Sequence, residues 1–512
     1  MAPKSENESN LSGEICSINS GEEDRDRKAA RLNELRSSFL SVLLDHQKPI
    51  KDGDSYMSSD ELDSYRMIGD GPLDLILNLL RQEGTKLGPT DDFLRLAEKA
   101  TNSSSKTPSQ IEMCSFLETY QAIPSWVDKE QLKRGQEVFL AYSPAAGLAL
   151  YYRSLVPGFS SPMINAVVQA TAYLTPPARP DQSLNRILDT AELLSACIGL
   201  GIDSILPGGI GWRTAIHVRV LHGKVRYALL QRKGKRKWDM AKYGTPINQE
   251  DMAATLLAFS VNVITGIDLV SGLTLSDKEK LDYLALWRYI GWLLGVETSA
   301  DTRLDGQPST SDLPPLDPCG PPTNDTHNNA IQKSYSLLQS MVNHLGDPDK
   351  TSIKIAHHLL QITDRIPSKD LKDKTKFYQN GLFYYRSLQC RKFIGEPLAD
   401  ALQLPLHPIF WKRQAIFMVS SMAWFTFRIY TRAAMYSSFC RKLMLRFHGR
   451  NMVIFHNHWN DIHKTKMAKL AKARQKMFNL VSLGGVKDKE DEKITTVNES
   501  ICPFAMIAEP IN

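Results

Sequence analysis

Within residues 213–226, RTAIHVRVLHGKVR, stand three arginines, one lysine and two histidines, and most positions between them are apolar. A neutral imidazole can ligate a metal or act as a base, and a guanidinium binds carboxylates through its fork of N–H donors. On a helix, at about 100° per residue, Arg219, His222 and Arg226 fall within about 60° of one another. Ala215, Val218 and Leu229 border them, whereas His217 faces the other way with Arg213 and Lys224.

Two cations bracketing His222 depress its pKa and favour the neutral ring, the form that binds metals. Guanidiniums in an apolar setting need anionic partners. Two arrangements meet both demands. Either protein carboxylates neutralise the arginines, or the stripe is a wall for an apolar ligand that carries a metal and carboxylates. Haem is such a ligand, with iron on His222 and propionates on arginine. Periodicity alone does not choose between them.

The elements that must hold this stripe are helical. Apolar-periodic segments run over 110–121, 130–152, 161–174, 183–199, 212–231, 249–264 and 277–296, with breaks such as LTPPARPD and LPGGIG between them. No run of alternating strands occurs, so the expected fold is all-α. The 512 residues, 42% hydrophobic and 23% charged, suffice for a large globular core. Polar residues 1–30 and the tail 485–512 are expected to be disordered. A helical domain is expected over 31–300, a Pro-rich loop or linker over 301–328 and a second helical region over 329–484.

Seven scattered cysteines without a CxxC exclude a zinc ribbon, a thioredoxin-like site and covalent c-type haem, and fit a reducing compartment. The first sixty residues show no secretory signal, so an intracellular location is expected. Phosphate loops of the P-loop or dinucleotide type are absent. RKGKRK (232–237) reads as a solvated helix end, and no nucleic-acid partner is expected. HNHWNDIH (456–463) lacks metal-ligand spacing and reads as a polar, partly exposed helix; the adjacent His357 and His358 read as core histidines.

Charge is unevenly placed. Residues 401–512 carry 17 Lys and Arg against 7 Asp and Glu, and 401–450 hold eight basic residues and no acidic one. The uncharged AIFMVSSMAWFTF (415–427) is shorter than the roughly 20 residues a membrane span needs. It is either a buried core helix or part of an amphipathic segment, 411–450, lying on a membrane. The second reading uses Trp411, Trp424 and Tyr430 with the cations Arg428, Arg432, Arg441, Lys442, Arg446 and Arg450.

RVLHGKVR resembles the Arg-x-x-His-x-x-x-Arg signature of the latex-clearing protein (rubber oxygenase) family, which includes the endoplasmic-reticulum-bound oxygenase of mycophenolic acid biosynthesis. MIGDGPLD (67–74) resembles that family's Gly-Asp-x-x-x-Asp turn, and IPSWVDKEQLKRGQEVF (123–139) its Pro-x-Trp-Val-Asp segment. GTPINQEDMAATLLAFS (244–260) and WRYIGWLLGV (287–296) are similar to its downstream helices. The resemblance implies a haem-b oxygenase that uses dioxygen on an apolar, isoprenoid-like or other lipid-like substrate, and an association with the endoplasmic reticulum membrane. It implies His222 as the iron ligand and Arg219 and Arg226 as cofactor-binding residues. It also implies Arg186 and Thr190 of RILDT as catalytic residues, four apart and so on one helical face.

Two positions depart from the rubber-cleaving pattern. Asp189 stands where those enzymes have a lysine, and residues 154–180 lack the acidic residue they carry there. Their mechanism therefore does not transfer intact, and a different lipid-like substrate is expected. A non-catalytic, basic helical protein that binds membrane lipid or another anionic partner is the competing expectation.

Overall fold

The computed structural model describes residues 27–44, 56–85, 93–171, 174, 180–298, 313–321, 329–362 and 375–482. Among these no strand occurs and helices dominate, so the fold is all-α. The segments expected to be disordered lie outside the described residues, apart from 27–30, which open the first helix.

The helices, in chain order, begin with α1 (27–44), α2 (Ser59–Arg66), α3 (Gly71–Gln82), α4 (Phe93–Thr101), α5 (Pro108–Gln121), α6 (Lys129–Ala141) and α7 (Ser143–Leu148). The last of these runs through a π-helical stretch, Ala149–Leu155, into α8 (Val156–Gly158). Then come α9 (Pro162–Thr171) and α10 (Pro180–Leu194), which also ends in a π stretch, Ser195–Gly199. They are followed by α11 (Ile202–Ile205), α12 (Ile210–Leu230), α13 (Met240–Tyr243), α14 (Gln249–Phe259), α15 (Val261–Ser271) and α16 (Asp277–Leu294). Beyond the Pro-rich stretch are α17 (Asn329–Leu345), α18 (Lys350–Gln361), α19 (Thr375–Ile394), α20 (Glu396–Ala401), α21 (Phe410–Tyr436) and α22 (Ser438–Ser482).

Local chemistry sets many of the boundaries. Asp70 caps α3 through Leu73 N, with Pro72 in the first turn where its missing N–H costs nothing. Thr107 with Gln110, and Ser276 with Glu279, close capping boxes on α5 and α16. Gly295 ends α16 in the left-handed conformation, φ 93°.

At the centre lies α16, with Tyr283, Leu286, Trp287, Tyr289, Ile290 and Leu293 all buried. It packs on α6, α12, α14 and α17. The span Gln249–Ser271 (α14 and α15) is apolar enough to cross a membrane by composition, but it lies mostly inside the core. Helices before and after the Pro-rich stretch share one hydrophobic core. The described part of that stretch is itself docked: Asp317 pairs with Arg288 at 2.6 Å, and Pro314 O accepts from Tyr65 Oη.

The uncharged 415–427 segment turns out to have two faces. Ser420 is buried, and Trp424 donates to Gln389 from the side that packs on α19, whereas Met418, Met422 and Phe425 are exposed.

Candidate functional site

α12 carries the stripe, and α3 and the turn before it supply its counter-charges. Arg219 Nε and Nη2 donate to Asp70 at 2.6 and 2.8 Å, with both side chains sealed from water. Arg226 Nη1 donates to Asp74 at 2.7 Å. Its other nitrogens donate to Pro246 O at 3.0 Å and Ile247 O at 2.7 Å. The two motifs of the sequence are thus the two halves of one contact. Asp70 and Asp74 stand one turn apart, and Arg219 and Arg226 two turns apart, with His222 between them. The guanidiniums are engaged by protein carboxylates, the first of the two arrangements open to them. Because an unpaired buried cation is so costly, each guanidinium has a carboxylate built into the fold.

The surroundings are shaped to this contact. Arg219 also lies over the rings of Phe116 and Tyr120, at 5.0 and 4.4 Å. A Cβ on Gly295 would stand 2.5 Å from Asp70 Oδ2 and 2.8 Å from Arg219 Nε, so a bare glycine is required at that left-handed turn. Ile247, whose carbonyl Arg226 holds, has φ 54°, an unusual value for a β-branched residue. A partly buried charge-assisted hydrogen bond to that carbonyl offsets the strain.

His222 is partly buried, and its Nδ1 is sealed with no hydrogen-bond partner. Burial, and then the charge of Arg226, push its pKa down to about 4, so the ring is neutral near pH 7. His217 instead places Nδ1 2.7 Å from Arg213 O on its own helix. No group of three or more His, Cys, Asp or Glu side chains that could hold a metal ion occurs among the described residues. A metal on His222 would therefore need its other ligands from a non-protein group, as a porphyrin supplies them. A neutral imidazole, one nitrogen of which has no protein partner, fits that demand.

A cavity of about 560 Å³, walled mainly by apolar side chains, lies beside α10. Arg186, Ile187, Thr190, Ala191 and Leu194 line it from that helix, and α10 packs on α12. The Thr190 hydroxyl donates to Arg186 O at 3.2 Å. The structure thus gathers Arg186 and Thr190 at the cavity, and Arg219, His222 and Arg226 at the α3–α12 contact; His222 is not among the cavity's lining residues. Asp189 is buried and likewise does not line it.

The family model for the catalytic domain of the ER-bound oxygenases mpaB/B′ and rubber oxygenases matches residues 141–427, more than half of the chain. The chain belongs to this family. A rubber oxygenase of Streptomyces sp. (strain K30) is 30% identical over 190 residues, which are 36% of this chain and 43% of that protein. The chain thus matches less than half of that relative's length. A solved structure of latex clearing protein LCP in the closed state aligns with a TM-score of 0.48 and 17% identity, over 76% of this chain and 91% of that one.

Two features of this family member are not visible as motifs. Arg153, in the π stretch Ala149–Leu155, lines the cavity. Its Nη2 donates to Val42 O, its Nε and Nη1 make no hydrogen bond, and burial pushes its pKa down to about 9. A lone arginine within LALYYRSLV was a signal in principle, because buried cations are rare. His456, expected on a partly exposed helix, is buried and bonded to Glu192, two residues beyond Thr190. His358 is a core histidine bonded to Ser183 Oγ at 2.9 Å.

Proposed function

We propose that the chain is a haem-b-dependent oxygenase acting on an apolar, isoprenoid-like substrate. The observation that carries this reading is the lone neutral imidazole of His222, fixed between two ion-paired arginines on a helix that packs against the wall of an apolar cavity. Haem, when bound, supplies iron that activates dioxygen.

The residues of the chain have distinct tasks. His222 provides the protein's ligand, and its depressed pKa keeps the ring free of a competing proton near neutrality. Arg219 and Arg226 act through Asp70 and Asp74 as positioning residues that hold the helix at a fixed rotation. The apolar cavity walls bind a hydrocarbon chain and exclude water. Arg186 and Thr190 provide the charge and the hydroxyl of the α10 wall and orient an oxygen-bearing group against the apolar chain.

The test is spectroscopic and then chemical. The wild type expressed with haem supply should show a Soret band, which His222→Ala diminishes or shifts and His217→Ala leaves unchanged. With squalene as probe, the haem-loaded wild type should consume dioxygen and yield oxygenated products. A wild type that takes up no haem overturns the cofactor assignment. A haem-loaded protein that consumes no dioxygen with squalene or shorter isoprenoids overturns the substrate assignment.

A further inference from the structure

The hairpin of α21 and α22 has an outer face that no other described residue covers. On α21, Trp411, Met418, Met422, Phe425, Ile429 and Tyr436 are exposed and fall within an arc of about 60° on the helical wheel. On α22, Phe439, Leu443, Phe447 and Ile454 are exposed within about 80°. Tyr436 and Phe439, at the bend, are 77% and 76% exposed, values unusual for aromatic residues in a folded domain. A continuous apolar surface of this kind marks an interaction site.

The inner faces are held to the body, so the hairpin cannot fold its apolar stripe inward. Three of the eight cations serve this attachment. Arg428 and Arg432 donate to Val270 O and Ser271 O at the carbonyl end of α15, and Arg441 donates to Tyr142 Oη and Glu279. On α22, Met444 and His456 are buried, and Met452 stands against Gly199.

Lys442, Arg446 and Arg450 are different: they are exposed and recur along the edge of the α22 stripe. An apolar stripe edged with cations matches the boundary between acyl chains and anionic headgroups. The same pattern disfavours a second copy of the chain, because a symmetric contact through this face would set like charges together. Interruption by these cations also rules the hairpin out as a span.

We propose that the outer face of α21 and α22 lies on an anionic lipid bilayer surface, with its aromatic and aliphatic side chains in the interface and Lys442, Arg446 and Arg450 on the headgroups. The family match ends at residue 427, so most of this surface lies beyond it. On its inner side the same helix, α22, borders the cavity through Met452. The docking itself does not depend on the cavity being catalytic.

Vesicle co-sedimentation of the full chain tests this. Phosphatidylcholine vesicles containing phosphatidylserine should pull down the protein, phosphatidylcholine alone much less, and added salt should weaken the difference. Joint replacement Lys442→Glu, Arg446→Glu and Arg450→Glu should weaken binding at least about a hundredfold. Phe439→Ser with Phe447→Ser should weaken it on both vesicle types, and circular dichroism should show both variants as helical as the wild type. Absence of binding to either vesicle, or binding that these folded variants leave unchanged, overturns the proposal. So does a stable dimer by light scattering that Phe439→Ser with Phe447→Ser converts to monomer, since the face then belongs to a second copy.

Discussion

Arg219 and Asp70, 149 residues apart in the sequence, meet in a two-pronged ion pair at 2.6 and 2.8 Å that is closed to water. The carboxylate also caps α3, and the guanidinium sits one turn before His222. The pair therefore connects the start of one helix to the rotation of another. Burial alone would lower the arginine's pKa, but Asp70 overrides it and holds the cation charged.

Asp70→Asn should cost about 3–5 kcal/mol in urea denaturation, because it leaves a buried guanidinium without its counter-charge. Replacing both partners, Asp70→Leu with Arg219→Met, should recover much of that loss. A double variant as unstable as the single one would show that packing, not the orphaned charge, sets the cost.

Gly295→Ala should destabilise the fold by more than about 1 kcal/mol, since alanine is strained at positive φ. Its Cβ would also press on Asp70 Oδ2. Thermal melting should show the loss, and haem affinity should fall with it. An unchanged melt would mean that α16 ends differently from the structure described above.

How much of this was legible beforehand can be judged from particular residues. The 3.6-residue period of RTAIHVRVLHGKVR separated His222 from His217, and the caps at Asp70, Thr107 and Ser276 follow from local chemistry that a sequence carries. That Asp70 and Asp74 are the partners of Arg219 and Arg226 did not follow, because a periodic pattern contains no distance between segments. Charge counting over 401–450 was right about sign but blind to use. It could not tell Arg428 and Arg432, which cap α15, from Arg446 and Arg450, which face outward. The stretch 456–463 lies on a partly exposed helix as its pattern suggests, but which of its histidines turns inward was not legible, because Glu192, the partner of His456, lies 264 residues away.

Thr190→Val should leave stability within about 0.5 kcal/mol, since the hydroxyl bonds only within its own helix. Haem uptake should be unchanged, and turnover of an isoprenoid substrate should fall roughly tenfold, the size of one lost hydrogen bond in the transition state. Equal turnover would remove Thr190 from the set of catalytic residues.

His344 supplies a pH dependence. Its ring lies 2.6 Å from Glu250 and 3.2 Å from Asp63. Burial lowers its pKa, but the hydrogen bond and charge of Glu250, with Asp63, outweigh burial and raise it above the ordinary 6.5. A raised folded pKa stabilises fully below 6.5, and that stabilisation is lost as pH rises through the raised value. Unfolding free energies measured across this window should fall for the wild type and less for His344→Gln. Parallel profiles would assign the pH dependence to other groups.

The contact that seats His222 draws on residue 70, residues 219–226 and residue 295. A chain still emerging from the ribosome cannot assemble it until α16 has ended and Gly295 has turned. The surroundings of His222 are therefore complete once residue 295 has been made, with the helices from α17 onward still to be added.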